Sequence, residues 1–154
     1  MIKTVAVYHN SVPNNKNAEK VDVLRYFGQG ARATGDSVID VIDKGYPQAD
    51  VAVIQGWVTE AVGKRPHLEL RNRIIRDQLK HGRHVIGIDS NLFLYANREN
   101  PHHYLRYSFD SVFPDQGNFC DLAPNPVRWQ KISQDHNIAL KDYRVTGNHI
   151  LLCL

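Results

Sequence analysis

The chain has only two cysteines, Cys120 and Cys153, and a single methionine. It also lacks any apolar run approaching the roughly 20 residues that a membrane-spanning helix needs. Two thiols without metal-ligand spacing supply neither a disulfide framework nor a zinc centre, so both read as buried or incidental side chains. Met1-Ile2-Lys3 runs straight into a β-branched segment instead of a signal peptide, which makes the cytoplasm the expected location. The ten glycines form no phosphate-cradling pattern, and no cofactor is implied. The adjacent His102 and His103 point apart on any regular element and have no Asp, Glu or His partner at ligand spacing, so no metal is expected. Charge of either sign is nearly balanced, with 19 Lys and Arg against 16 Asp and Glu, a net +3. That permits a phosphate-bearing partner without demanding one.

What is present is ordinary globular composition: 154 residues, 42% hydrophobic and 23% charged. This suits one domain over 1–154 with a real core. The stretch that organises it is Asp50-Val51-Ala52-Val53-Ile54-Gln55-Gly56-Trp57, an unbroken apolar run that stops at Gly-Trp. Such a run predicts a strand buried on both faces, as in a parallel sheet. Ile2–Tyr8 and His84–Asp89 repeat the pattern, ending in His9-Asn10 and Asp89-Ser90-Asn91. In a parallel sheet those three ends share one edge, and ligands sit outside the carboxyl ends of such strands. Residues 36–42 supply a further strand, expected beside the first. The fold expected is α/β: a Rossmann-like three-layer domain with a mostly parallel sheet of about five to six strands.

Two helices separate these strands. After a loop of turn formers, which is either functional or a plain surface connection, Asn17 can cap a helix. Its Val21, Leu24, Phe27, Gly28 and Ala31 share one side. Gly28 there would let helix and strand approach closely, and the Gly28-x-Gly30 pair reads as structural. From about His67 to His81, Leu68, Ile75 and Leu79 share one face while Leu70 and Ile74 lie well around the cylinder, so this helix is expected to be covered on two sides. Arg73, Arg76 and Lys80 form a basic stripe, read as a solvated face. From Leu92 to Asp121 the pattern loosens and aromatics gather, from Phe93 to Phe119; core packing accounts for them more simply than base or sugar stacking. A short helix over 127–136, in which Trp129 and Ile132 pack, and a last strand at Ile150–Leu154 complete the chain.

The order Phe109-Asp110-Ser111-Val112-Phe113-Pro114, Asn125-Pro126-Val127-Arg128-Trp129, Leu140-Lys141-Asp142-Tyr143-Arg144 and His149–Leu154 resembles the amino-terminal half of phage-encoded, GT-B-like glycosyltransferases. The resemblance spans nearly the whole chain, and the second half of the pattern is absent from it. It implies an acceptor-side domain of a transferase that moves a sugar from a nucleotide sugar to phage-type DNA or polysaccharide, in the host cytoplasm if the source is viral. Its strand ends would line an interdomain cleft through His9, Asn10, Gly56, Trp57, Asp89, Ser90 and Asn91. Asp89 or His9 would be the base that takes the acceptor proton, and Lys64 and Arg65 would meet phosphate.

Two other functions compete with that expectation. One is a non-catalytic Rossmann-like module that binds a nucleotide or a protein partner, including a second copy of itself. The other, weaker, is nucleic-acid binding through Lys64, Arg65, Arg73, Arg76 and Lys80.

Overall fold

The computed structural model describes residues 1–12, 18–43, 45–58, 65–90, 105–111 and 125–140. The chain divides into two compact units, Met1–Cys120 and Asp121–Leu154.

The first unit is α/β. Its β-branched runs become β1 (Thr4–Tyr8), β2 (Ser37–Val41), β3 (Val51–Gln55) and β4 (His84–Ser90), followed by β5 (Leu105–Phe109). They form a sheet in the order β2-β1-β3-β4-β5, with β3 at its centre. The first four strands are mutually parallel, and β5 adds antiparallel to β4, with Ile88 opposite Tyr107. β5 falls inside the stretch whose sequence pattern is loose. Its five residues, Leu-Arg-Tyr-Ser-Phe, are too few to separate an edge strand from a turn by periodicity.

Two helices cover the sheet, α1 (Ala18–Ala33) and α2 (Pro66–Lys80). Strand side chains alternate between faces, and so the core has two parts. Val5, Val7, Val53, Ile86 and Ile88 pack with Leu24 of α1. Ala6, Tyr8, Ala52, Ile54 and Val85 pack with Ile74 and Ile75 of α2. Each fully buried aliphatic side chain in these clusters contributes about 2 kcal/mol by leaving water. Gly35 (φ +95°) and Gly82 (φ +64°) end the two helices in the left-handed backbone region that glycine enters without penalty.

Three sequence expectations are corrected at the level of packing. Among the described residues of the chain, α2 is covered on one side only: its buried residues are Arg71, Ile74, Ile75 and Gln78, one stripe at i, i+3, i+4 and i+7, and Leu79 is 44% exposed. Polar side chains occupy half of that stripe, which hides it from a hydrophobicity pattern. Gly28 does not enable the approach of α1 to β2, because an added Cβ would stand at an ordinary 3.5 Å from Val38 and Asp40. In the second unit, α3 (Val127–Asp135) forms over the expected residues, but Trp129 is 42% exposed. An ion pair joins Lys131 and Asp135 on that helix at 2.9 Å. Lys64, Asn91, His102, His103, Cys120, Cys153 and the strand expected at Ile150–Leu154 lie outside the described residues.

Candidate functional site

The chain leaves β1 for β2 on one side of the sheet, returns past β1 to β3, and then proceeds to β4 on the other side. β1 and β3 are therefore the neighbouring strands from which the connections diverge. The carboxyl ends of such a pair form a crevice, because the loops that follow turn away from each other.

Four residues converge there. Beyond β1 the backbone makes one 3-10 turn, His9–Ser11, that tucks Ser11 fully into the interior. The Ser11 hydroxyl donates to Tyr8 O at 2.6 Å and accepts the Gln55 N–H at 2.9 Å. Arg71, one turn and a half into α2, reaches the same point and is 6% exposed. Its Nε and Nη2 donate to Ser11 O at 2.9 and 2.7 Å, and Nη2 also donates to Gln55 Oε1 at 2.6 Å. Gln55 in turn donates from Nε2 to Asp89 Oδ1 at 3.4 Å. The cluster thus links the ends of β1, β3 and β4 through one guanidinium and one amide.

A buried guanidinium needs such partners, since moving its charge out of water without them costs several kcal/mol. Burial pushes Arg71 down to about 10, and the Asp89 carboxylate opposes the shift. It remains charged at neutral pH. Nearby, burial and the positive charges of Arg71 and Arg65 hold the His67 imidazole below its ordinary value, so it is neutral near pH 7.

Gly56 follows β3 directly with φ +72°, and its N–H donates to Ile88 O at 2.6 Å. A Cβ at this position would lie 2.7 Å from Arg71 Nη1. The glycine is needed here both for the turn and for the guanidinium behind it.

The residues marked by sequence divide into separate places. Asp89 belongs to the cluster. His9 faces away from it: its Nε2 lies 2.9 Å from Asp40 Oδ1, and Arg32 pairs with the other oxygen of that carboxylate. Burial pushes the Asp40 carboxyl up, but the hydrogen bonds from His9 and Arg32, with the Arg32 charge, outweigh it and hold the group below its ordinary value. Asn10 donates from Nδ2 to Asp43 O, while its Oδ1 is buried with no partner among the described residues. Arg65 caps the start of α2 without a side-chain hydrogen bond and is exposed. Ser90 ends β4 opposite Leu105. Trp57 is half-buried and packs against the α2-side core. It also lines a groove of about 920 Å³ along the outer side of α2, away from the Ser11–Arg71 cluster.

Ser11 and Arg71 carry no motif that marks them in the sequence, whereas Gln55 stands in the marked end of the β3 run. The one available signal was the spacing of Arg71 with Ile74, Ile75 and Gln78, which places a charge on a helical stripe otherwise facing the sheet. No group of His, Cys, Asp and Glu among the described residues has the geometry of a metal site. No helix among the described residues is long and apolar enough to cross a membrane. No protein-family model matches this sequence, and a search of curated proteins finds no match.

Proposed function

We propose that the chain is a Rossmann-like, three-layer domain that binds a nucleotide-bearing ligand outside the carboxyl ends of β1 and β3. The observation that carries this reading is the convergence of Ser11, Gln55, Arg71 and Asp89 at the point where the sheet connections diverge. A polar cluster of that cost is retained in an interior when it positions something. Around it stand groups suited to a nucleotide. The exposed Arg65 at the start of α2, with the positive end of the helix dipole beside it, favours phosphate. Asp89, half-buried at the end of β4, is an acceptor for hydroxyl or amine donors.

Titration of the full chain with UDP-glucose, UDP and glucose, followed by calorimetry, tests this. Binding that requires the diphosphate and weakens about tenfold in Arg65→Ala is expected, since one charge-assisted phosphate contact is worth about 1.5 kcal/mol. Absence of binding by every nucleotide tried at millimolar concentration would overturn it.

A second reading, sugar transfer, rests on the half-buried Asp89 carboxylate at the same edge together with the resemblance to GT-B-like enzymes. In it Asp89 takes the acceptor proton, and a second α/β domain or subunit supplies the opposite wall of the cleft. Turnover of a nucleotide sugar should then disappear in Asp89→Asn while nucleotide binding persists. Unchanged turnover in that variant would remove Asp89 from the chemistry.

A further inference from the structure

Leu68, Asn72, Ile75 and Leu79 follow one another along α2 at intervals of four, three and four residues. That is the spacing of a helix-pairing seam, and it lies beside the stripe that packs on the sheet. Ile75 belongs to the sheet core at 7% exposure, yet it also forms part of the 920 Å³ groove along α2. Trp57, Val58, Asn72 and Leu79 line the same groove, with Leu79 at 44% exposure. An exposed leucine by itself is unremarkable, whereas a groove that sets Leu79, Ile75 and Val58 beside a half-buried tryptophan marks a contact surface.

The charges flanking this seam select its occupant. Glu69 near the start of α2 and Arg76 two turns later are both exposed and stand on the same side of the seam. Two of the other three charges in the groove, Arg73 and Asp77, have partners within the chain, and Lys80 is exposed in the last turn of α2. Arg73 sits 5.5 Å above the Tyr46 ring, and Asp77 lies 3.6 Å from His81.

We propose that the groove is closed by α2 of a second copy of this chain, packed antiparallel about a twofold axis. The register that sets Leu68 against Leu79 of the partner subunit also sets Asn72 against Ile75 of the partner subunit. It brings Glu69 beside Arg76 of the partner subunit, and twofold symmetry makes each contact twice. A parallel pairing would instead set Glu69 and Arg76 of the two copies on opposite sides of the seam, where neither meets its counterpart. Asn72 is the polar interruption that holds one register and weakens the pair. The exposed charges Glu69 and Arg76 pair with each other across the seam in the antiparallel orientation only.

Sedimentation equilibrium of the full chain over a concentration series reads the proposal. A monomer–dimer equilibrium is expected, with Leu79→Glu monomeric throughout. Glu69→Arg and Arg76→Glu should each raise the dimer Kd about tenfold, because two exposed pairs become repulsive at once. The double variant E69R/R76E should recover the unmodified value, and Asn72→Leu should tighten the dimer. Circular dichroism confirms that each variant is folded, and the charge exchange provides the answer even if Leu79→Glu is not. A monomer at every concentration, a dimer indifferent to Leu79→Glu, or a double reversal that fails to recover association would each overturn the antiparallel α2 pairing.

Discussion

At Gly56 a single missing Cβ decides whether the polar cluster can form. The backbone there has φ +72°, and the space a side chain would need is held by Arg71 Nη1 at 2.7 Å. A long side chain elsewhere would swing aside, but Arg71 is tied to Ser11 O and Gln55 Oε1 and would have to break those bonds. Gly56→Ala should therefore cost about 3 kcal/mol, the sum of left-handed strain and a disturbed buried hydrogen-bond network. Gly82→Ala, at φ +64° with nothing within 4 Å of the new Cβ, should lose only the strain, about 1 kcal/mol. Urea unfolding of both variants measures the difference, and equal losses would mean that Arg71 yields freely. The glycine was visible in the sequence because it interrupts an apolar run. Its partner was not, because the run says nothing about which residue of α2 arrives behind it.

Helix α1 shows how far periodicity carries. Leu24 and Gly28 are buried and Val21 and Phe27 half-buried, the face that the 100° rotation per residue selects. Glycine inside a helix is costly unless something requires it, and here neither position is crowded. At Gly30 nothing lies within 4 Å of a built Cβ, and at Gly28 the neighbours stand at 3.5 Å. Gly30→Ala should raise stability by about 1 kcal/mol through helix propensity and reduced unfolded-state freedom. Thermal and chemical denaturation check this, and a loss of stability would show that a partner crowds the site. α2 departs from the simple pattern for a definite reason. Its sheet-facing stripe carries Arg71 and Gln78, and Gln78 donates to Ala49 O and His84 O at 3.2 Å. A helix that ties down backbone carbonyls as well as apolar side chains has a buried face that hydrophobicity alone underestimates.

Across the whole molecule, a set of polar ties holds the elements around β1 and β2 together. His9 and Arg32 both bind the Asp40 carboxylate, joining the turn after β1 and the last turn of α1 to strand β2. Because the Asp40 carboxyl is held below its ordinary 3.8, the folded state releases its proton more readily than the unfolded state does. The stabilisation is present above pH 3.8 and is lost as pH falls through the lower folded value. Asp40→Asn should therefore reduce stability at neutral pH and flatten its decline in that acid window. The effect is small, since the carboxylate side chain is 36% exposed and screened by water. Denaturant midpoints between pH 2 and 7 check the slope, and identical slopes for the two proteins would assign the acid limb to other carboxylates.

The sequence alone determined the α/β class, the β1, β2, β3 and β4 strands, the course of α1 and the glycine that ends the β3 run. Each of these follows from local chemistry: β-branched apolar runs, helical periodicity, and backbone angles open to glycine. It also marked Asp89, because a strand end is a local feature. Only the tertiary structure decided that Asp89 joins Ser11, Gln55 and Arg71 whereas His9 turns toward Asp40 and Arg32. Those partners lie between eight and 60 residues apart in the chain. Contacts over such distances depend on strand order and on which helix covers which face, and no local pattern encodes that choice.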